Sequence, residues 1–285
     1  MLDRFKRSVR QKMQRAVAEV VEAELSRRQQ HLDEQLSEQH RQLTELRDEA
    51  LAALDTLTER VDAQGDRVHH RVDDLEDRAR RDIWYARDAA ASAESAAFVI
   101  EHLPAAQVFW HGHDTLRFAL GELKGPGLAL EFGVATGTTL RIIADAVAAD
   151  RTVVGFDTFT GLPEMWRSGF PAGEFSQQAL PEVPNAQLIA GLFEDELPRF
   201  LARNDDPIAF MHVDCDLYSS TRTVLDLTGD RLAPDAVILF DEFFNFPGWK
   251  QHEYRAWTEF LERTGRTFEY LAYTGNSEQV VVRLH

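Results

Sequence analysis

The sequence predicts a long α-helical segment followed by a Rossmann-like α/β domain with a seven-stranded, mostly parallel sheet. Three observations predict it. Residues 1–80 contain no proline and one glycine, Gly65, and are rich in the helix-favouring residues Glu, Gln, Arg, Leu and Ala. From residue 126 onward, apolar runs alternate with amphipathic ones, the pattern of strands joined by crossover helices. Between two such runs, Glu131-Phe132-Gly133-Val134-Ala135-Thr136-Gly137-Thr138-Thr139 reads as strand, glycine turn, helix.

In the N-terminal segment, apolar residues recur at heptad spacing: Leu36, Leu43, Ala50 and Leu57, then Leu54, Val61, Val68 and Leu75. Such interleaved steps define a coiled-coil seam. Residues 30–80 are expected to form a coiled coil of ~75 Å and to assemble the chain as a homo-oligomer, although Gln39, Gln64 and Ala50 leave its order open. Ahead of it, Arg4, Lys6, Arg7, Arg10, Lys12 and Arg15 face one acid, Asp3, among Leu2, Phe5, Val9 and Met13. A basic amphipathic helix can lie on an anionic membrane surface. Its small apolar face favours the plainer reading, the solvated start of the long helix. Residues 81–125 read as a helical connector, with a lid role open.

In the C-terminal domain, residues 126–285, strands are expected at Leu128–Val134, Thr152–Asp157, Gln187–Ala190, Ile208–Asp214, Val237–Asp241, Thr267–Thr274 and Gln279–Leu284. Helices are expected at Leu140–Ala148, Asp195–Arg203, Thr221–Arg231 and Glu253–Thr264. The last two strands, close in sequence, suggest a hairpin.

Composition narrows the function. The 285 residues contain one cysteine, Cys215, so neither an intramolecular disulfide nor a cysteine-based zinc site is expected, which favours a cytoplasmic setting. No run is long and apolar enough for a membrane span. The net charge of −17 is uneven: residues 1–80 carry 15 basic and 18 acidic side chains, the remainder 16 and 30. An acidic C-terminal domain repels phosphate backbones, so a nucleic-acid substrate is not expected.

Chemistry concentrates at strand ends, where open α/β sheets bind ligands. Gly133 and Gly137 allow a tight turn and close approach of a ligand. Asp157, ending the next strand, is placed to bond a ribose diol. The fourth strand runs into Asp214-Cys215-Asp216 and the fifth into Asp241-Glu242. Crowded carboxylates repel, and a hard cation relieves the repulsion, so Asp214, Asp241 and Glu242 are candidate Mg²⁺ ligands. Helix capping is the alternative role for such acids, most seriously for Asp216 and Glu242.

The stretch 131–139 resembles motif I of class I S-adenosylmethionine (SAM) methyltransferases. Residues 131–285 resemble the macrocin O-methyltransferase family through EFGVATGTTL (131–140), VVGFDTFTGLPEMW (153–166), AGLFEDELPRFL (190–201), HVDCDLYSST (212–221) and ILFDEFFNFPGWKQHEYRAWTEF (238–260). Residues 1–80 lie outside the resemblance. It implies SAM as methyl donor, Mg²⁺ as activator, and a sugar, glycan or glycosylated natural product as acceptor. It implies cofactor binding by Glu131, Gly133, Gly137 and Asp157; Ala135, Thr138 and Asp214 beside them are further cofactor candidates, and Phe159 is a candidate to flank the adenine, with packing of its loop the alternative. Asp214, Asp241 and Glu242 would bind metal and Asp216 would be the general base. His212 reads as a core residue, Glu253 as an exposed helix-start acid, and Trp166, Trp249 and Tyr218 as pocket or packing residues. Two alternatives stand beside this: a coiled-coil scaffold with a vestigial methyltransferase domain, and a catechol-type O-methyltransferase.

Overall fold

A computed structural model describes the backbone from Leu2 to His285 and the side chains of Phe5 and of Arg7 onward. Leu2, Asp3, Arg4 and Lys6 of the expected basic face lie outside the described side chains. The chain divides into two units, up to Arg81 and from Asp82 to His285. The connector is therefore part of the C-terminal unit.

The first unit is one helix, α1 (Leu2–Arg81), of 80 residues. Its seam is bare: Leu36 is 62% exposed, Leu43 66% and Val61 61%. Among the described residues no helix is long and apolar enough to cross a membrane.

The second unit starts at α2 (Ile83–His102), whose N-cap Asp82 accepts hydrogen bonds from the backbone N–H of Trp84 and Tyr85. Next come β1 (Gln107–Phe109) and α3 (Gly112–Gly121). The purely helical connector is thus corrected by a short strand. Its sequence signal is weak, three residues between helices, and it is held by parallel pairing with a strand 165 positions later, Gln107 to Ala272. The remaining elements are β2 (Leu128–Phe132), α4 (Thr138–Val147), β3 (Val153–Asp157), β4 (Gln187–Ala190), α5 (Phe193–Leu201), β5 (Ile208–Val213), α6 (Tyr218–Thr228), β6 (Leu232–Phe240), α7 (Glu253–Thr264), β7 (Phe268–Thr274) and β8 (Val280–Leu284).

The fold is α/β and Rossmann-like. Its eight strands are ordered β1-β7-β8-β6-β5-β2-β3-β4, one more than the seven expected. β8 runs antiparallel between β6 and β7, the expected hairpin, and the other pairs are parallel. The strand order reverses between β2 and β5. The carboxyl ends of these neighbours are where such sheets bind ligands.

Both sheet faces are covered, which is why the central strands β2 and β5 are apolar but for Glu131 and His212. Leu128, Leu130 and Phe132 pack on one face with Leu197, Phe200, Val224, Trp257 and Phe260 from α5, α6 and α7. Ala129, Phe210, Val237 and Leu239 pack on the other with Leu116, Ala119, Leu140 and Ile143 from α3 and α4. Side chains alternate between faces with period two. Glu131 and His212 therefore project to the α3/α4 face, and the same alternation sends Asp241 there and its neighbour Glu242 to the other side.

Candidate active site

The turn after β2 is built from its glycines. Gly133 has φ +94°, and a Cβ there would lie 1.6 Å from the Asp214 carbonyl oxygen, so only glycine lets the ends of β2 and β5 meet. Gly137, at φ +74°, is the left-handed N-cap of α4. Thr138 starts that helix and its hydroxyl lies 2.9 Å from that of Thr136.

Asp157 ties this turn to the end of β3. Its Oδ2 accepts hydrogen bonds from the N–H groups of Val134 and Ala135, both 2.8 Å, and its Oδ1 accepts one from Phe159 at 2.7 Å. Three of a carboxylate's roughly four acceptor sites are used. The carboxylate first shapes the loop, and Oδ1 keeps the free edge.

A cavity of about 680 Å³ opens over these strand ends. That lies within the roughly 300–1,000 Å³ of small-molecule sites. Gly133, Ala135, Asp157, Asp214, Asp216 and Glu242 border it. So does Arg167, which donates to Glu278 at 3.1 Å and lies 3.8 Å from the Trp166 ring centroid. Sequence reasoning missed Arg167 and Glu278: a lone arginine in a loop carries no motif, and its partner lies 111 positions away. Phe159 is not on this wall. It is 6% exposed and packs in the α3/α4-side core. Glu131, Gly137 and Thr138 also lie off the cavity wall, beneath or beside the turn.

A smaller cavity, about 330 Å³, lies on the α3/α4 side, and Asp214 borders both. His111, His113, Thr139, His212, Asp241 and Gln279 line it. His212 is fully buried, with Nδ1 2.8 Å from Glu131 Oε1 and Nε2 3.4 Å from Asp241 Oδ1. It is a core residue as expected, and also a bridge between two acids. Gln279 donates to the other Asp241 oxygen at 3.2 Å.

His212, Asp214 and Asp241 each offer a ligand atom within 4.8 Å of the others. Glu242, expected in this set, is outside it. It borders the larger cavity, with Oε2 unpartnered, and its backbone N–H donates to Glu253 Oε2 at 3.0 Å. Glu253 is fully buried, which corrects the exposed helix-start reading. Trp249 is also buried, donating to Glu94, and Tyr218 donates to Glu259, so both pack while Trp166 lines the cavity.

Burial pushes the carboxyls of Asp214, Glu242 and Glu253 well above the usual range, and repulsion by Asp241 adds to it. Asp216, at φ +61°, is pushed up to about 7 by burial, against the pull of Arg167. Asp241 stays below its ordinary value. Burial opposes this, but hydrogen bonds from His212 and other neighbours outweigh it.

Residues 130–243 match a family model described as a methyltransferase domain. The matched stretch spans the glycine turn, Asp157 and the acids at the ends of β5 and β6. Among solved structures, the chain is similar to CalS11, a calicheamicin methyltransferase, with 27% identity, 60% of this chain and 77% of that one covered, and a TM-score of 0.49. It is similar to the O-methyltransferase NovP at 22%, covering 60% and 78%, with a TM-score of 0.45. It is also similar to the O-methyltransferase TomG from Streptomyces achromogenes, solved with SAM, at 17%, covering 61% and 78%, with a TM-score of 0.41. No curated protein matches significantly.

Proposed function

We propose that the protein is a SAM-dependent O-methyltransferase that acts on a hydroxyl of a sugar, glycan or glycosylated natural product with a divalent cation, Mg²⁺ in the family it resembles. The observation that carries this reading is the meeting of the motif I turn with Asp214 and Asp216 at the rim of one cavity. The matched methyltransferase domain covers the same residues.

The residues fit both groups. The turn of Gly133 and Ala135, with Asp157 behind it, walls one side of the cavity for a donor. Asp214 and Asp241, crowded and partly buried, would hold a cation. A bound cation would supply Lewis acidity that lowers an alcohol's pKa and orients it. Asp216 would take the alcohol proton, a role supported by its position on the same cavity and by its carboxyl being pushed up to about 7. Arg167 and Trp166, stacked on one another, form a wall for the acceptor. The sheet keeps these groups in fixed register, which supports alignment for in-line methyl transfer.

We also propose that α1 assembles the chain as a homo-oligomer. A lone helix this long is held by little besides its own propensity, and burial of the seam supplies the rest. The steps from Leu43 through Leu46, Ala50, Leu54, Leu57 and Val61 are 3, 4, 4, 3 and 4 residues. The paired fours are a stutter, which locally unwinds a supercoil.

The test is transfer of labelled methyl from SAM to a panel of nucleotide sugars, glycosides and catechols, with and without chelator. Metal-dependent label on a glycosyl hydroxyl is expected. Label on catechol alone, or none on any acceptor from a chain that binds SAM, would remove the glycosyl assignment.

A further inference from the structure

We infer that the cation site is completed by the imidazole of His212, giving a His212–Asp214–Asp241 set of one nitrogen and two carboxylates, and that Glu242 is not a ligand. This deepens the proposed metal-assisted reading and needs no knowledge of the acceptor.

The strand register carries the inference. Glu131 pairs with His212, and His212 with Leu239, across β2, β5 and β6. Side chains at Glu131, His212 and Asp241 thus share the α3/α4 face, whereas Glu242, one residue on, leaves the backbone on the opposite face and reaches Asp241 only by a hydrogen bond between the two carboxyls. The consecutive acids at the end of β6 line different cavities. His212 and Asp241 converge at 3.4 Å, and the Glu242 carboxyl meets Asp241 as a hydrogen-bonding neighbour, not as a member of the three-residue donor set.

The second observation is the partner behind the ring. Metal-binding histidines nearly always donate their other ring N–H to a carboxylate or carbonyl, which fixes the tautomer and aims the ligating nitrogen. His212 Nδ1 meets Glu131 Oε1 at 2.8 Å, both side chains closed to solvent. Nε2 is thereby aimed at Asp241 and the smaller cavity. Ligands held at about 2.1 Å from an ion stand roughly 3–4 Å apart. The three donor atoms here lie within 4.8 Å of one another, so a small inward movement closes the set.

A mixed nitrogen and oxygen set favours Mn²⁺, Fe²⁺ or Co²⁺ over Mg²⁺, which prefers oxygen alone. Every such site ranks Co²⁺ above Mn²⁺, so rank is no proof. The informative quantity is how much of the preference over Mg²⁺ depends on His212.

The full-length metal-free protein should be loaded with Mn²⁺ alone and examined by pulsed electron paramagnetic resonance. Imidazole nitrogen coupling is expected, retained in a His111→Ala/His113→Ala double variant and lost in His212→Asn. Calorimetric titration with Mn²⁺ and Mg²⁺ should show Mn²⁺ affinity falling about tenfold or more in His212→Asn, with Mg²⁺ changing less and Glu242→Gln close to wild type. Absence of nitrogen coupling in Mn²⁺-loaded wild type overturns the assignment without recourse to any variant. So does loss of metal in Glu242→Gln with retention in His212→Asn. None of these readouts uses SAM, so metal bound through His212 in a chain that fails to bind SAM would support the site and reject the methyltransferase reading.

Discussion

Glu131 and His212, on adjacent parallel strands, meet side by side with 2.8 Å between Oε1 and Nδ1 and no solvent at either side chain. The pair joins the motif I strand to the acids at the end of β5. Removing one partner of a buried pair strands the other and costs about 3–5 kcal/mol. Glu131→Ala is expected to destabilise the protein on that scale, read by denaturant unfolding, and Glu131→Gln, which keeps an acceptor, by less. Equal stability of all three proteins would show that the pair does not tie the strands.

Gly133 is expected to tolerate no side chain. At φ +94°, with the Asp214 carbonyl 1.6 Å from any Cβ, Gly133→Ala must part β2 from β5 or distort the turn. The expected cost is more than about 1 kcal/mol, with loss of binding of S-adenosylhomocysteine, the product of SAM. Unchanged binding and stability would contradict the described closeness of the two strand ends.

Glu253 gives a pH dependence. Burial, then repulsion by Asp241, hold its carboxyl well above the ordinary value despite the N–H of Glu242. A carboxyl with a raised folded-state pKa binds its proton more tightly in the folded chain. It therefore favours folding most at pH below its unfolded value, ~4.3, and this is lost as pH rises from there toward the folded pKa. Glu253→Gln keeps an oxygen for the Glu242 N–H and removes the titration. Its melting temperature should fall less than that of wild type between pH 5 and pH 8. Parallel profiles would contradict a raised Glu253.

The bare seam of α1 gives a prediction about assembly. Analytical ultracentrifugation of the full chain should show an oligomer that dissociates in a Leu43→Glu/Leu57→Glu variant, since both side chains are over half exposed in the single chain. A monomeric wild type would reject assembly through this helix.

The fold was legible where burial on both faces writes itself as an apolar run, as in Leu128–Phe132 and Ile208–Val213. β1 was not, because three residues carry no period and its partner, β7, is remote in sequence. The start of β6 was missed because Pro234 and Asp235 interrupt it, and a register shift against β5 absorbs them. Asp214, Asp216 and Asp241 could be placed at strand ends from sequence. That Asp241 and Glu242 leave the backbone on opposite faces follows from strand alternation carried to the tip, whereas the hydrogen bond between their carboxyls does not. His212 as a bridge required knowing that Glu131 sits beside it. Glu253 looked like a dipole-favoured acid at a helix start, and nothing local told that this first turn packs against the end of β6.

The central claim is SAM chemistry at the ends of β2 and β5. Calorimetric titration of the full-length chain with S-adenosylhomocysteine tests it most directly, with Asp157→Asn as comparison. Asn keeps the side chain's size and replaces one acceptor oxygen with a donor, which opposes either the Phe159 N–H or those of Val134 and Ala135, whichever way the amide lies. One site per chain with micromolar affinity, weakened in the variant, is the predicted result. No heat of binding from a folded wild-type chain, with or without divalent cation, would contradict the account.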